Sequence, residues 1–197
     1  MMPDIEMTIK RLKKIILDEN CKNMNKSTVK GFLGELLVKN KLKQEGHNFK
    51  HIGNQADVDL ELKNSNSRID VKTSILKREI KNLPEYWGWA LKQKSKKRKI
   101  SSSHLICIAL FKDLSIDAFY IIRTKDLKEF QKSPIGRFNK VEKGFMVFPT
   151  AKDIKTIKND QIREHAIYCL DLLKRKIVIK IKINRNLSHA LSLVGER

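Results

Sequence analysis

The stretch from Gln55 to Ser74, QADVDLELKNSNSRIDVKTS, constrains the fold of this chain more than any other. Val58, Leu60 and Leu62 alternate with Asp57, Asp59 and Glu61, and Ile69 and Val71 alternate with Arg68, Asp70 and Lys72. Side chains two apart on a strand share a face, so both runs predict strands with one apolar and one polar side. Asn64, Ser65 and Asn66 tolerate the positive φ of a tight turn, which makes the pair a hairpin. Keeping both apolar sets on one face requires opposed residue numbers to have an odd sum. Folding about Asn64 and Ser65 then sets Asp59 against Asp70 and Asp57 against Lys72.

Cross-strand neighbours lie about 5 Å apart, where two carboxylates repel each other unless a cation lies between them. A hard divalent ion such as Mg²⁺ meets that need, because it takes carboxylate oxygens and keeps several waters. Lys72 stands beside such an ion, able to hold a water or a developing negative charge. A solvated hairpin face of mixed charge is the competing reading of the same residues.

The chain of 197 residues is long enough for one domain with a sizeable core. Its formal net charge of +20 favours a polyanionic partner, nucleic acid ahead of an acidic membrane. A Lys-rich solvated surface is the alternative, but Glu is not enriched to match Lys. Cys21, Cys107 and Cys169 are far apart and odd in number, which argues against a disulfide framework and for a reducing cytoplasm. No apolar run approaches a membrane span and no secretory signal opens the chain, so a soluble, cytoplasmic protein is expected.

Residues 5–19 predict an amphipathic helix with a basic face, best used for packing on the core. A second helix is expected from a cap at Ser27 or Thr28 to about Lys43, with Gly46 helping to end it. Within it, Gly31 and Gly34 each cost about 1 kcal/mol relative to Ala, tolerable where the backbone approaches another element closely. Glu35 follows on a small and apolar stripe, either paired or reaching solvent from the helix edge.

Beyond the hairpin, Pro84 is expected to open a short helix carrying Tyr86, Trp87 and Trp89. The run from Lys92 to Lys99 holds six cations in eight residues. Lys94, Lys96, Lys97, Arg98 and Lys99 are its candidate phosphate contacts, against the alternative of an exposed loop. His104–Phe111 predicts a central buried strand, Ala118–Arg123 the next strand, and Thr124 caps a short helix. Phe145–Phe148 predicts a further strand. Thr150 with Asp153 resembles a capping box opening one long helix toward Lys174. Lys176–Asn184 alternates as a strand, with Lys180 and Lys182 on its polar side. The expected organisation is an N-terminal helix and loop over 1–26, a core over 27–131 and a C-terminal extension over 132–197 for recognition or dimerisation. The five histidines and three cysteines show no zinc spacing, and neither a Gly-rich phosphate loop nor a GxSxG elbow occurs.

Glu35, Asp57 or Asp59, Asp70 and Lys72 are the coherent chemical set. A helix with GFLGE, a strand with ADVDL and a strand with IDVKTS, in that order, resemble the PD-(D/E)XK nuclease superfamily. The likeness extends to the core of type II restriction endonucleases and of archaeal Holliday-junction resolvases, and covers roughly Ser27 to Arg123. It implies an α/β fold, a central mixed β-sheet flanked by helices in a restriction endonuclease-like core. It further implies that Asp59 and Asp70, with the Val71 carbonyl, ligate Mg²⁺, for which Mn²⁺ can substitute. Lys72 then positions the attacking water and stabilises the pentavalent phosphorus, and Glu35 holds a second metal or a metal-bound water. In-line attack on a phosphodiester needs such a metal-activated nucleophile and charge neutralisation. The sequence departs from the pattern in lacking a proline before the Asp and in offering Asp57 as a second candidate. The register favours Asp59.

The expectation is a Mg²⁺-dependent DNA endonuclease of restriction type, a homodimer cutting duplex DNA. A resolvase or structure-selective repair nuclease acting on branched DNA is the runner-up. A non-catalytic DNA-binding module on the same fold is the alternative of a different class.

Overall fold

The computed structural model describes residues 4–18, 25–52, 58–63, 67–77, 83–91, 102–132 and 144–195. It is an α/β structure built on a mixed sheet of six strands. In chain order the strands of the molecule are β1 (Phe49–His51), β2 (Leu60–Leu62), β3 (Arg68–Ile75), β4 (Trp87–Ala90), β5 (His104–Leu110), β6 (Ile116–Arg123), β7 (Gly144–Val147) and β8 (Val178–Lys182). The main sheet runs β1-β2-β3-β5-β6-β8, and β4 pairs with β7 in a separate ribbon. Among the described residues only β3 and β5 pair in parallel; β1–β2, β2–β3, β5–β6 and β6–β8 are antiparallel. A parallel pair needs a crossover, and the segment containing β4 supplies it.

The hairpin forms in the register its alternation dictates, with Leu60 opposite Ile69 and Glu61 opposite Arg68. Every residue of β5 is buried, as a strand covered on both faces must be. One face is covered by α1 (Ile5–Leu17), α2 (Lys26–Gln44) and α5 (Leu187–Gly195), around Leu33, Val38, Ile69, Ile106, Ile108 and Phe119. The β4–β7 ribbon, α3 (Ala151–Lys155) and α4 (Asp160–Lys174) cover the other, around Trp89, Cys107, Tyr120 and Phe145. The C-terminal region thus contributes to the main sheet, since β8 is its outer strand.

Local signals differ from expectation at four places, each for a physical reason. The cap of α2 is Asn25, whose side chain accepts the Thr28 amide, rather than Ser27 or Thr28. Trp87 and Trp89 lie on a strand, not a helix. Residues two apart cannot share a helix face, whereas a strand buries both. Their indoles donate to the carbonyls of Leu110 at 2.7 Å and Ile108 at 3.2 Å, which anchors the ribbon on β5. Thr124–Lys132 is wound as a 3₁₀ helix. The Thr150–Asp153 capping box is present, but it opens only α3. The Thr156 hydroxyl then turns back to the Asp153 carbonyl and Asn159 caps α4 afresh, which splits the expected long helix in two.

Candidate active site

β3 presents Asp70, Lys72 and Ser74 on one side. Asp70 is only 6 % exposed, and the Lys72 ammonium donates to its Oδ1. Asp59 sits just ahead of β2. Its amide donates to the Ile69 carbonyl at 2.8 Å, and its Oδ2 accepts the Val71 amide at 2.7 Å. That second bond satisfies the β3 edge beyond the Leu60–Ile69 pair and pins the Asp59 carboxylate beside Asp70, as the register requires.

α2 brings the third carboxylate. Gly34 permits this, because a Cβ there would stand 1.8 Å from Thr73 Oγ1 of β3. Gly31, by contrast, faces open space. With α2 held this close, Glu35 is three-quarters buried and enters the field of β2 and β3. Burial first, then the Asp59 charge and more weakly that of Asp70, raise its pKa, while Lys39 and Lys72 oppose the rise. The Lys39 ammonium lies 4.0 Å from Glu35 Oε2. Burial pulls the Lys39 pKa down, and Glu35 and then Asp59 counter it. The site is thus three carboxylates and two ammonium groups gathered around β3, between α2 and the start of β2.

Of the candidate residues, Glu35, Asp59, Asp70 and Lys72 are gathered here, and Val71 contributes its amide. Asp57 and the cationic run with Lys94, Lys96, Lys97, Arg98 and Lys99 lie outside the described residues. Lys39 escaped the sequence reading. Its signal was available: a Lys four residues after a Glu on a helix, the favoured orientation for an ion pair.

Among the described residues no group of three or more His, Cys, Asp or Glu side chains converges as a metal cluster. A Mg²⁺ site does not need one, since that ion is typically held by one or two carboxylates with waters and substrate phosphate. No helix among the described residues is long and apolar enough to cross a membrane. No protein-family model matches the chain, and no curated protein matches it.

Proposed function

We propose that the protein is a Mg²⁺-dependent DNA endonuclease with a PD-(D/E)XK-type site, acting on duplex DNA as a homodimer. The observation that carries this reading is the Asp59 carboxylate bonded to the Val71 amide. It fixes the Asp59 carboxylate against β3 next to Asp70 and Lys72, and the charges of Asp59, Asp70 and Lys72 all act on Glu35 of α2. Burial first, and after it the charges of Asp59 and Asp70, raise the proton affinity of Glu35; a divalent cation would relieve the part that the two charges cause. Asp59 and Asp70 would hold the ion, with Glu35 as the next donor. Bound there, Mg²⁺ supplies Lewis-acid neutralisation of phosphoryl charge.

The remaining chemistry belongs to the chain. Lys72 is held by Asp70 and its side chain stays 28 % exposed, so it can donate to a phosphate oxygen or orient an attacking water. Lys39, 4.0 Å from Glu35 Oε2, partly balances the charge of that carboxylate. The net charge of +20 draws in the polyanionic substrate.

The test is cleavage of supercoiled plasmid and of a four-way junction by wild type and Asp70→Ala, with Mg²⁺ or EDTA. Wild type is expected to cut only with Mg²⁺, and Asp70→Ala to lose about 10²-fold or more. Preference for the junction would make the enzyme a resolvase. DNA binding without cutting by either protein would refute the catalytic reading and leave a binding module.

A further inference from the structure

The face of β3 that carries Asp70 and Lys72 continues to Ser74, whose Oγ accepts the Gly88 amide of β4 at 3.1 Å. Just beyond, Lys77 and Tyr86 bridge the two chain segments, the Lys77 amide donating to the Tyr86 carbonyl at 3.0 Å. The Lys77 ammonium stands 4.8 Å from the Tyr86 ring centroid and 3.5 Å from its hydroxyl oxygen. Gly88 keeps this pocket of surface open, since a Cβ there would lie 3.0 Å from the ring and 3.5 Å from the Lys77 nitrogen.

Lys30 lies on α2, one turn before Gly34, and feels the Lys77 charge. Its ammonium is partly buried, and burial first, then the Lys77 charge, draw its pKa below the ordinary lysine range. Neither Lys30 nor Lys77 is ion-paired with a carboxylate among the described residues. Two like charges that act on each other, one of them partly out of water, cost free energy that a bound anion would return. Tyr86 adds a hydroxyl able to donate to a phosphate oxygen.

We propose that Lys30, Lys77 and Tyr86 form a second phosphate subsite, which takes a backbone phosphodiester of the DNA whose scissile phosphate lies at Lys72. This rests on the nuclease reading and extends it. Lys72 and Lys77 are five residues apart, about 16 Å along the chain at roughly 3.3 Å per residue, so the two contacts fall on different phosphates of the bound DNA. The subsite fixes the register of the duplex across β3 and does no chemistry itself.

The experiment is fluorescence anisotropy of a labelled duplex of about thirty base pairs, titrated with KCl in EDTA, alongside plasmid cleavage with Mg²⁺. Lys30→Gln and Lys77→Gln are compared with Lys174→Gln, an exposed lysine at the end of α4 near the opposite edge of the sheet. Each subsite variant is expected to reduce the slope of log K against log salt by about 0.9, and the pair together by nearly twice that. Lys174→Gln should leave the slope unchanged. Lys77 is exposed, so Lys77→Gln carries the test if Lys30→Gln fails to fold. Wild-type slopes in both variants, with wild type binding and cutting, would overturn the subsite and leave the nuclease standing. A wild type that neither binds duplex nor cuts plasmid would remove the nuclease reading, and the subsite with it.

Discussion

Glu35 is where the tension in the candidate site is greatest. Its raised pKa means the folded chain holds the carboxyl proton more tightly than the unfolded chain does. The stability it contributes is therefore full below the unfolded pKa of about 4.3 and is lost as pH rises through the higher folded value. At neutral pH the ionised group opposes folding. Glu35→Gln is expected to raise the thermal midpoint at pH 7, by about 2–4 °C for each kcal/mol recovered, and to give no gain below pH 4. The same substitution should slow plasmid cleavage about 10- to 100-fold. Thermal melts at the two pH values and a cleavage time course check both halves. A less stable Glu35→Gln at pH 7 would mean that the Lys39 ion pair outweighs repulsion from Asp59 and Asp70. At this scale the sequence was informative where groups are close along the chain or share a strand register, as Asp70, Lys72 and Asp59 do. It could not show that Glu35 enters the same field, because that depends on how closely α2 lies on β3.

That approach is a property of α2, and its two glycines separate its causes. Gly34 stands against Thr73, so Gly34→Ala must push α2 off β3 and is expected to cost about 1–3 kcal/mol of stability with loss of cleavage. Gly31 faces open space in a helix interior, so Gly31→Ala is expected to stabilise by about 1 kcal/mol and leave cleavage intact. Chemical denaturation of the two variants side by side decides it; equal effects would sink the close-approach argument. The far end of α2 is tied down differently. The Glu45 carboxylate accepts the Leu187 and Ser188 amides at 2.8 Å each, capping α5 across the molecule. Burial works against its ionisation, but these amides and Lys41 outweigh it and hold the pKa below the usual range. Such a group stabilises above its unfolded pKa, and the contribution fades as pH falls through the folded one. Glu45→Ala should therefore cost about 1–2 kcal/mol at pH 7 and little at pH 3, read from denaturation midpoints. Nothing in the sequence pairs Glu45 with Leu187, whereas the buried β5 and the hairpin were legible from alternation and apolar runs alone. The Trp87–Gly88–Trp89 strand was misread because Pro84 suggested a helix start, although the two-residue spacing of the indoles already favoured a strand.

For the whole molecule, the sequence supported a mixed α/β sheet flanked by helices, but not the strand order. That order depends on a parallel β3–β5 pairing made through the crossover and on β8 returning from the C-terminal region to β6. Neither pairing joins neighbours in sequence. The fold brings Asp59, Asp70 and Lys72 together at β3 with Glu35 of α2 in their field, and in the proposed nuclease one such site would address one strand of a duplex. Cutting both strands in a single encounter requires two chains related by a two-fold axis. Each brings a charge of +20, which disfavours self-association in dilute salt until DNA or added ions screen it. Supercoiled plasmid with Mg²⁺ is therefore expected to pass directly to linear product, at a rate rising more steeply than the first power of protein concentration. Nicked circles accumulating first, at a rate proportional to protein, would show instead a monomer that cuts one strand at a time. The homodimer would then be abandoned while the chemistry assigned to the site remained.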